Sequence, residues 1–407
     1  MLAPQIVMTA PFIHRITLRN YKSIAACQVD LPRLGFLVGR NGAGKSNFLD
    51  SISFVAEALL GSLGIAIDED RDGIDSVLRR TGTELGPMAI RIDFTLSENA
   101  SGHFGFELGK MSDDRFEVVH EECMVRKEGE EHFYYMRSGV VIKASRPHFP
   151  SVMPDRLCLV AAGGFPEFRA VFDLLVRMAV YNPNPETMNR VQHGVGGNLQ
   201  RSVKNLAQTL KNLDPKHRSE INDFLSTALG TKTSVEIGKN GDVDTISFLQ
   251  AVTGDSEPHS FSPASMSDGT MRALCILAVV FQTSRKGLPL HWLIGLEEPE
   301  TALHPAIASS LLALLRQASH FNQILITSHS PDLLDNEDIP PDSIFAVDHL
   351  DGVTRIAGID PASRKAILEK LFTPGELLRQ NQLAPDLGQL KQTQGACGLH
   401  MFDFPKS

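Results

Sequence analysis

Three groups of residues in this chain have the types and spacing that phosphate chemistry needs. Gly39-Arg40-Asn41-Gly42-Ala43-Gly44-Lys45-Ser46, with Asn47 after it, has the form G-x-x-x-x-G-K-S. Glycines there let backbone N–H groups close round phosphate oxygens, and the lysine reaches the β- and γ-phosphates. The Ser46 hydroxyl would complete a Mg²⁺ shell, and a helix beginning there adds the partial positive charge of its N-terminus. The second group is Trp292 to Glu300, an apolar run that ends in Glu297-Glu298-Pro299-Glu300. Carboxylates at the edge of a buried strand are costly unless a cation compensates, and the Mg²⁺ of ATP is such a cation. The third is Gln323 to Pro331, an apolar run followed by Ser328-His329-Ser330, which sets an imidazole where it can reach a γ-phosphate. Taken in order, these groups make nucleotide binding the first expectation.

Each group needs an element to hold it. Phe36-Leu37-Val38 predicts a buried strand running into the loop, and Phe48, Leu49, Ile52, Val55 and Leu59 predict a helix from about Ser46. Ser267-Asp268-Gly269-Thr270-Met271-Arg272 opens another apolar helix, through Leu274, Ile276, Leu277, Val280 and Phe281, with Ser267 or Asp268 as N-cap. Met88 to Leu96, Gly105 to Leu108, Phe116 to Val119, Cys123 to Val125 and Phe133 to Met136 alternate, which predicts a half-exposed antiparallel sheet.

From Phe165 to about Gly230 the spacing turns helical. Phe172, Leu174, Leu175, Met178 and Ala179 fit one face, Leu199, Val203, Leu206, Leu210 and Leu213 a second, and Ile221, Phe224 and Leu225 a third. A glycine-rich break at Gly194 to Asn198 interrupts them, and no heptads continue long enough for a coiled coil. Near the end, Phe345-Ala346-Val347 and Val353 to Ile356 predict a hairpin turning at Asp351-Gly352. From Gln380 the chain reads as a loosely packed tail.

Composition narrows the classes. A net charge of −9 over 407 residues gives no general attraction to nucleic acid or anionic lipid. The most basic region holds Arg201, Lys204, Lys211, Lys216 and Arg218, and reads as a solvated helix face or as a surface for nucleic acid or a partner. Five cysteines without a C-x-x-C pair read as reduced buried thiols. No apolar run approaches a membrane span and no secretory start is visible, so the expected location is the cytoplasm.

With these residues in place, the sequence resembles ABC-class ATPases of the RecF, SMC and OLD (overcoming lysogenization defect) branch. Leu18-Arg19-Asn20-Tyr21-Lys22-Ser23 is similar to that branch's N-F-K-S start, Ser267 to Arg272 to its short signature, and Glu297 to Glu300 with Leu303-His304-Pro305 to its E-E-P-E-x-x-L-H-P segment. In length and order the chain is closest to compact AAA-type, OLD-like ATPases of bacterial antiphage defence. The resemblance implies an α/β P-loop NTPase of ABC type, with a mixed sheet, an antiparallel β subdomain and an α-helical lobe. It divides the chain into an ATPase lobe at 1–164, a helical lobe at 165–265, the signature, carboxylate and histidine part at 266–360, and a C-terminal helix and tail at 361–407.

It also implies roles. Two chains would form a homodimer, or a higher assembly built on it, with each ATP held between one chain's loop and the other's Ser267, Asp268, Gly269 and Thr270. Glu297 would hold Mg²⁺ with Ser46, Glu298 would be the base or orient the attacking water, His329 would sense the γ-phosphate, and Lys45 would bind it. The glutamine that couples such sites to the helical lobe is not identifiable. The function this implies is an ATP-hydrolysing switch that gates a separate effector, a nuclease or toxin, in antiphage defence. The alternative is a RecF-like or SMC-like DNA clamp.

Overall fold

The structure, a computed structural model, describes residues 11–81, 84–111, 115–183, 206–240, 243–282, 289–399 and 401–403. A thirteen-stranded mixed sheet organises it. One part is parallel: Ile344–Leu350, Leu34–Val38, Gln323–Ser328, Leu293–Glu297 and Met178–Tyr181 lie side by side in that order. These strands are nearly continuous apolar runs because both faces are covered. Leu37, Leu293 and Leu325 enter the core on one face, and Phe36, Val38, Ile294, Leu296, Ile324 and Ile326 enter the core on the other. Helix Lys45–Leu60 packs on the first face and buries Phe48, Leu49, Ile52, Val55 and Leu59, as their spacing predicts. Helices Asp268–Val280 and Pro305–Ala318 cover the second.

The other part is antiparallel. Ile24–Asp30, Phe12–Tyr21, Met88–Ser97, Ala100–Lys110, Phe116–Lys127, Glu130–Arg137 and Val140–Ala144 pair in succession. The hairpin Ile344–Leu350 and Val353–Gly358 joins the parts, its first strand parallel to Leu34–Val38 and its second to Ile24–Asp30. Its turn sets Asp351 at φ 51° and Gly352 at φ 77°, the left-handed pair that an Asp-Gly hairpin uses. The antiparallel strands expected from alternation thus extend the nucleotide sheet itself.

Three expectations change. Met178 and Ala179 lie in strand Met178–Tyr181, beyond helix Pro166–Leu175. A short apolar run fits helix and strand equally, and pairing with Leu293 to Leu296 decides for strand. Second, residues 165–265 are not helical throughout. Thr233–Asn240, Val243–Gln250 and His259–Phe261 form a small antiparallel sheet, in which Val235 faces Phe248 and Ile237 faces Ile246 across the strands. That apolar side packs on Ile221, Phe224 and Leu225 of helix Pro215–Leu229.

Third, the described residues after Gln380 are built into the fold. They include helix Leu387–Leu399, and then Met401 is buried while Phe402 stacks on His120 with ring centres 4.1 Å apart. Gln382 and Gln389 bond residues of the nearby 358–363 stretch, but the partners of Met401, Phe402 and Asp403 are hundreds of residues away in sequence, so no local pattern announces their docking. Gly194 to Asn198, Leu199, Val203, Arg201 and Lys204 lie outside the described residues. Cys27, Cys123, Cys158 and Cys275 are buried and in no disulfide.

Candidate functional site

Leu34–Val38, Gln323–Ser328 and Leu293–Glu297 run parallel and in register, so the residues after each meet at one edge of the sheet. Ligands of open α/β sheets collect at such an edge. After Val38 the chain turns through Gly39 to Gly44 into helix Lys45–Leu60. A Cβ on Gly39 would lie 2.0 Å from the Val347 carbonyl oxygen, and one on Gly44, at φ 102°, 2.1 Å from Thr354 Oγ1. Only glycine fits either place. Thr354 donates to the Ala43 carbonyl at 2.9 Å and shares a 2.7 Å hydrogen bond with Ser23, which accepts from the Asn47 amide at 2.6 Å. The hairpin and the Asn20-Tyr21-Lys22-Ser23 segment therefore brace the loop from beneath.

Lys45 is buried, and its ammonium donates to the carbonyls of Gly39 and Arg40 at 2.8 and 3.1 Å. Burial lowers its pKa, against the raising effect of Glu298, Glu300 and Glu297. Lys45 Nζ stands 4.0 Å from Glu298 Oε1, and His329 Nδ1 stands 3.0 Å from the same oxygen. Ammonium, carboxylate and imidazole thus converge from the first residue of the helix after the loop and from the residues just past two neighbouring strands.

The turn that presents Glu298 is unusual. Its φ is 43°, in the left-handed region that side chains disfavour. Its N–H donates to the Thr327 carbonyl at 3.0 Å and lies 3.2 Å from Thr327 Oγ1, while Arg272 donates to the carbonyls of Glu297 and Glu298 at 3.1 and 3.0 Å. Surrounding bonds of this kind are what hold a strained residue at a functional site. Arg272 is buried, and that burial lowers its pKa while the three glutamates oppose the change.

The other two glutamates point elsewhere. Glu300 turns inward, accepts from Ser328 Oγ at 2.5 Å, and has its pKa pushed up by burial. Glu297 accepts from the Asn182 amide at 3.0 Å. Glu297, Asn182, Ser46, Asn47, Lys22 and Asp50 line a cavity of about 270 Å³. The Ser46 hydroxyl and the Glu297 carboxylate on its walls are hard oxygen donors, the kind Mg²⁺ takes alongside phosphate. The residues present therefore fit that ion.

Ser267 is the N-cap of helix Asp268–Val280, its Oγ accepting from Thr270 N at 3.2 Å. Ser267 and Asp268 are exposed, whereas Gly269 and Thr270 are buried in their own chain. A Cβ on Gly269 would come within 2.4 Å of the Ala302 carbonyl oxygen. This stretch connects to the acid strand through Arg272, further along the same helix. Asn41 and Gly42 are exposed at the loop's tip, and Ala43 is buried beneath it. Two residues that carry weight here had no assigned role in the sequence. Arg272 stands inside a recognised motif, but its carbonyl partners are a feature of the folded turn. Asn182 gave no signal, since its strand resembled the end of a helix.

Residues 35–121 and 236–335 match the family described as "AAA domain, putative AbiEii toxin, Type IV TA system". No curated protein matches the chain. Similar solved structures include the SMC head domain from Thermotoga maritima, with 14% identity, 86% of this chain and 99% of that chain covered, and a TM-score of 0.43. Another is the Pyrococcus furiosus Smc head domain with an extended coiled coil, bound to the C-terminal domain of ScpA, at 13% identity, 89% and 99% coverage and a TM-score of 0.49. Among the described residues no helix is long and apolar enough to cross a membrane. The family match spans both the glycine loop and the strand ends that carry Glu297, Glu298 and His329, so over these stretches the chain is similar to AAA-domain ATPases.

Proposed function

We propose that this chain is an ATP-driven switch: ATP closes two copies head to tail, hydrolysis reopens them, and the change gates a separate effector protein in defence against phage or foreign DNA. The observation that carries the hydrolytic step is the convergence of Lys45 and His329 on one carboxylate oxygen of Glu298. Glu298 accepts a proton from the attacking water or orients it, and His329 donates a hydrogen bond to the γ-phosphate. Lys45 exchanges its carbonyl partners for β- and γ-phosphate oxygens. Ser46 and Glu297, the latter steadied by the Asn182 amide, would hold Mg²⁺, which would supply charge neutralisation at the phosphates. The exposed Ser267 and Asp268 offer the helix N-terminus to the partner chain's γ-phosphate. Arg272 then ties that contact to the backbone of Glu298 in its own chain.

The gated effector rests on analogy. The matching family's description names a toxin of a type IV toxin–antitoxin system, which supports a role in cellular conflict. The clamp alternative draws on the basic stretch. There Lys211 pairs with Asp244, Lys216 with Glu220, and Arg218 donates to the Lys211 carbonyl, so those cations are engaged within the chain. The test uses Glu298→Gln protein with Mg²⁺-ATP. Light scattering should show the mass double, and Ser267→Arg should prevent it. Affinity capture from the host should recover one effector in stoichiometric amount, lost when Lys45→Ala is added. An unchanged mass with no retained protein overturns the switch, and recovery of DNA alone supports the clamp.

A further inference from the structure

A second set of buried ionisable side chains lies on strands Ala100–Lys110 and Phe116–Lys127, separated from the loop strand by Met88–Ser97, Phe12–Tyr21, Ile24–Asp30 and the hairpin. His103, His120 and Glu122 are each no more than 3% exposed. They share one face of the sheet, because pairing sets Gly105 opposite Glu122 and Glu107 opposite His120, and side chains alternate along each strand. The C-terminal residues cover that face. Phe402 stacks on His120 and reaches over Gly105, where a Cβ would lie 3.1 Å from its ring, and the backbone N–H of Asp403 donates to Glu122 at 3.0 Å.

The polar atoms point at one another. Glu122 Oε1 is 3.0 Å from His103 Nε2, Glu122 Oε2 is 3.5 Å from His120 Nε2, and Asp403 Oδ2 is 3.6 Å from His103 Nδ1. His103, Glu122 and Asp403 each present a ligand atom within 4.8 Å of the others. His120 Nε2 is buried without a hydrogen-bond partner and is aimed at the Glu122 carboxylate. Arg91 also reaches the group, at 2.9 Å from Asp403 and 3.5 Å from Glu122, while its other nitrogens bond Asp93 at 3.0 and 3.1 Å. Three carboxylates against one guanidinium leave two negative charges in excess when the imidazoles are neutral. A doubly charged cation would cancel that excess, and Glu122, the fully buried one of the three, gains most from such compensation.

We propose that this cluster is a structural site for a divalent transition metal, Zn²⁺ foremost, ligated by His103, Glu122 and Asp403 and steadied by His120 behind Glu122. Imidazole among carboxylates selects zinc or manganese over magnesium. Ligand atoms in a tetrahedral zinc site lie about 3.3 Å apart, given bonds of about 2.0 to 2.1 Å. His103 can offer only one of its nitrogens, and with one atom per residue the three ligand atoms lie within 4.8 Å of one another, so small side-chain shifts close them on the ion. Asp403 is 42% exposed, which leaves room for water as a fourth ligand. Arg91 keeps Asp93 as its partner when its remaining nitrogen yields the carboxylates to the ion. His120 takes the place of the outer groups that orient a metal's ligands. The ion would clasp the C-terminal segment to strands nearly three hundred residues earlier, whether or not nucleotide is bound.

The experiment strips the full-length protein with a chelator and titrates it with Zn²⁺ and, separately, Mn²⁺ without nucleotide, so that the phosphate site is not engaged. Co²⁺ serves as a spectroscopic probe. One Zn²⁺ per chain is expected, with visible Co²⁺ bands of tetrahedral intensity and a raised melting temperature. Lys45→Ala should leave the affinity unchanged, and Asp403→Asn and His103→Gln should each lower it at least about 10-fold. Because Asp403 is partly exposed, its variant keeps the test open if His103→Gln fails to fold. Folded wild-type protein that takes up no stoichiometric metal overturns the proposal and leaves the cluster a charge clamp. Affinity unaltered in both variants overturns it as well, by placing the metal elsewhere.

Discussion

Glu297-Glu298 and Glu121-Glu122 are adjacent glutamates on strands of the same sheet, and their surroundings differ completely. The first pair stands at a strand's end, partly exposed, with Lys45, His329 and Asn182 around it. The second pair is in mid-strand and buried, with its side chains on opposite faces. Glu121 accepts from Cys158 N, Leu159 N and Tyr134 Oη at 2.6, 2.8 and 2.7 Å, all neutral donors, and burial pushes its pKa up to about 7. Burial acts on Glu122 in the same direction, but His103 and His120 bring it down to about 2. Position along the strand makes the difference. At the C-terminal edge carboxylates stay open to a ligand's cation, whereas in mid-strand the fold itself must satisfy them.

The largest effect should come from the open site. Lys45→Ala removes a buried ammonium aimed into the loop, and isothermal titration should show ATP affinity reduced about 100-fold, the scale of a lost charged hydrogen bond. Unaltered affinity would mean that the edge does not bind phosphate through this lysine.

Next comes the closed pair, read through pH. The folded pKa of Glu121, about 7, exceeds the ordinary 4.5, so the folded state keeps a proton that the unfolded chain releases. This contribution is greatest below pH 4.5 and is lost as pH rises to 7, a change of about 3 kcal/mol. Urea unfolding across that range should show the slope, and Glu121→Gln should flatten it. His291, in the parallel part, carries the opposite sign: burial lowers its pKa to about 4 from 6.5, so stability falls as pH drops between those values. A slope that persists in Glu121→Gln would remove this carboxyl from the account.

Smaller changes sharpen the contrast at the edge. Gly269→Ala forces a Cβ towards the Ala302 carbonyl oxygen and should cost about 1–3 kcal/mol in thermal unfolding, the usual range for overpacking. Asn182→Ala leaves the acids in place and removes only the amide on Glu297, so half-maximal turnover should require up to about 10-fold more Mg²⁺. If the Mg²⁺ dependence is unchanged, Asn182 has no part in holding Glu297.

How much of this could be read from the sequence follows from distance along the chain. The loop was legible because its constraint is local: glycines at 39, 42 and 44, then a lysine and a serine, leave few other structures. Glu297, Glu298 and His329 were legible because each ends an apolar run, and only their meeting needed the fold. Met178–Tyr181 was not, since its apolar residues continue the spacing of Leu174 and Leu175, and a strand some 110 residues later settles the matter. Asn182 was hidden for the same reason. The docking of Met401, Phe402 and Asp403 is more remote still, with Glu122 and Asp403 separated by 281 residues and no periodicity joining them.

The most direct test of the account is steady-state phosphate release by Glu298→Gln beside wild type, with ATP binding measured on the same samples. Binding should persist while turnover falls at least about 100-fold, the contribution of a positioned base. Turnover equal to wild type, with ATP bound normally, would contradict the assignment of Glu298 and with it the hydrolytic switch.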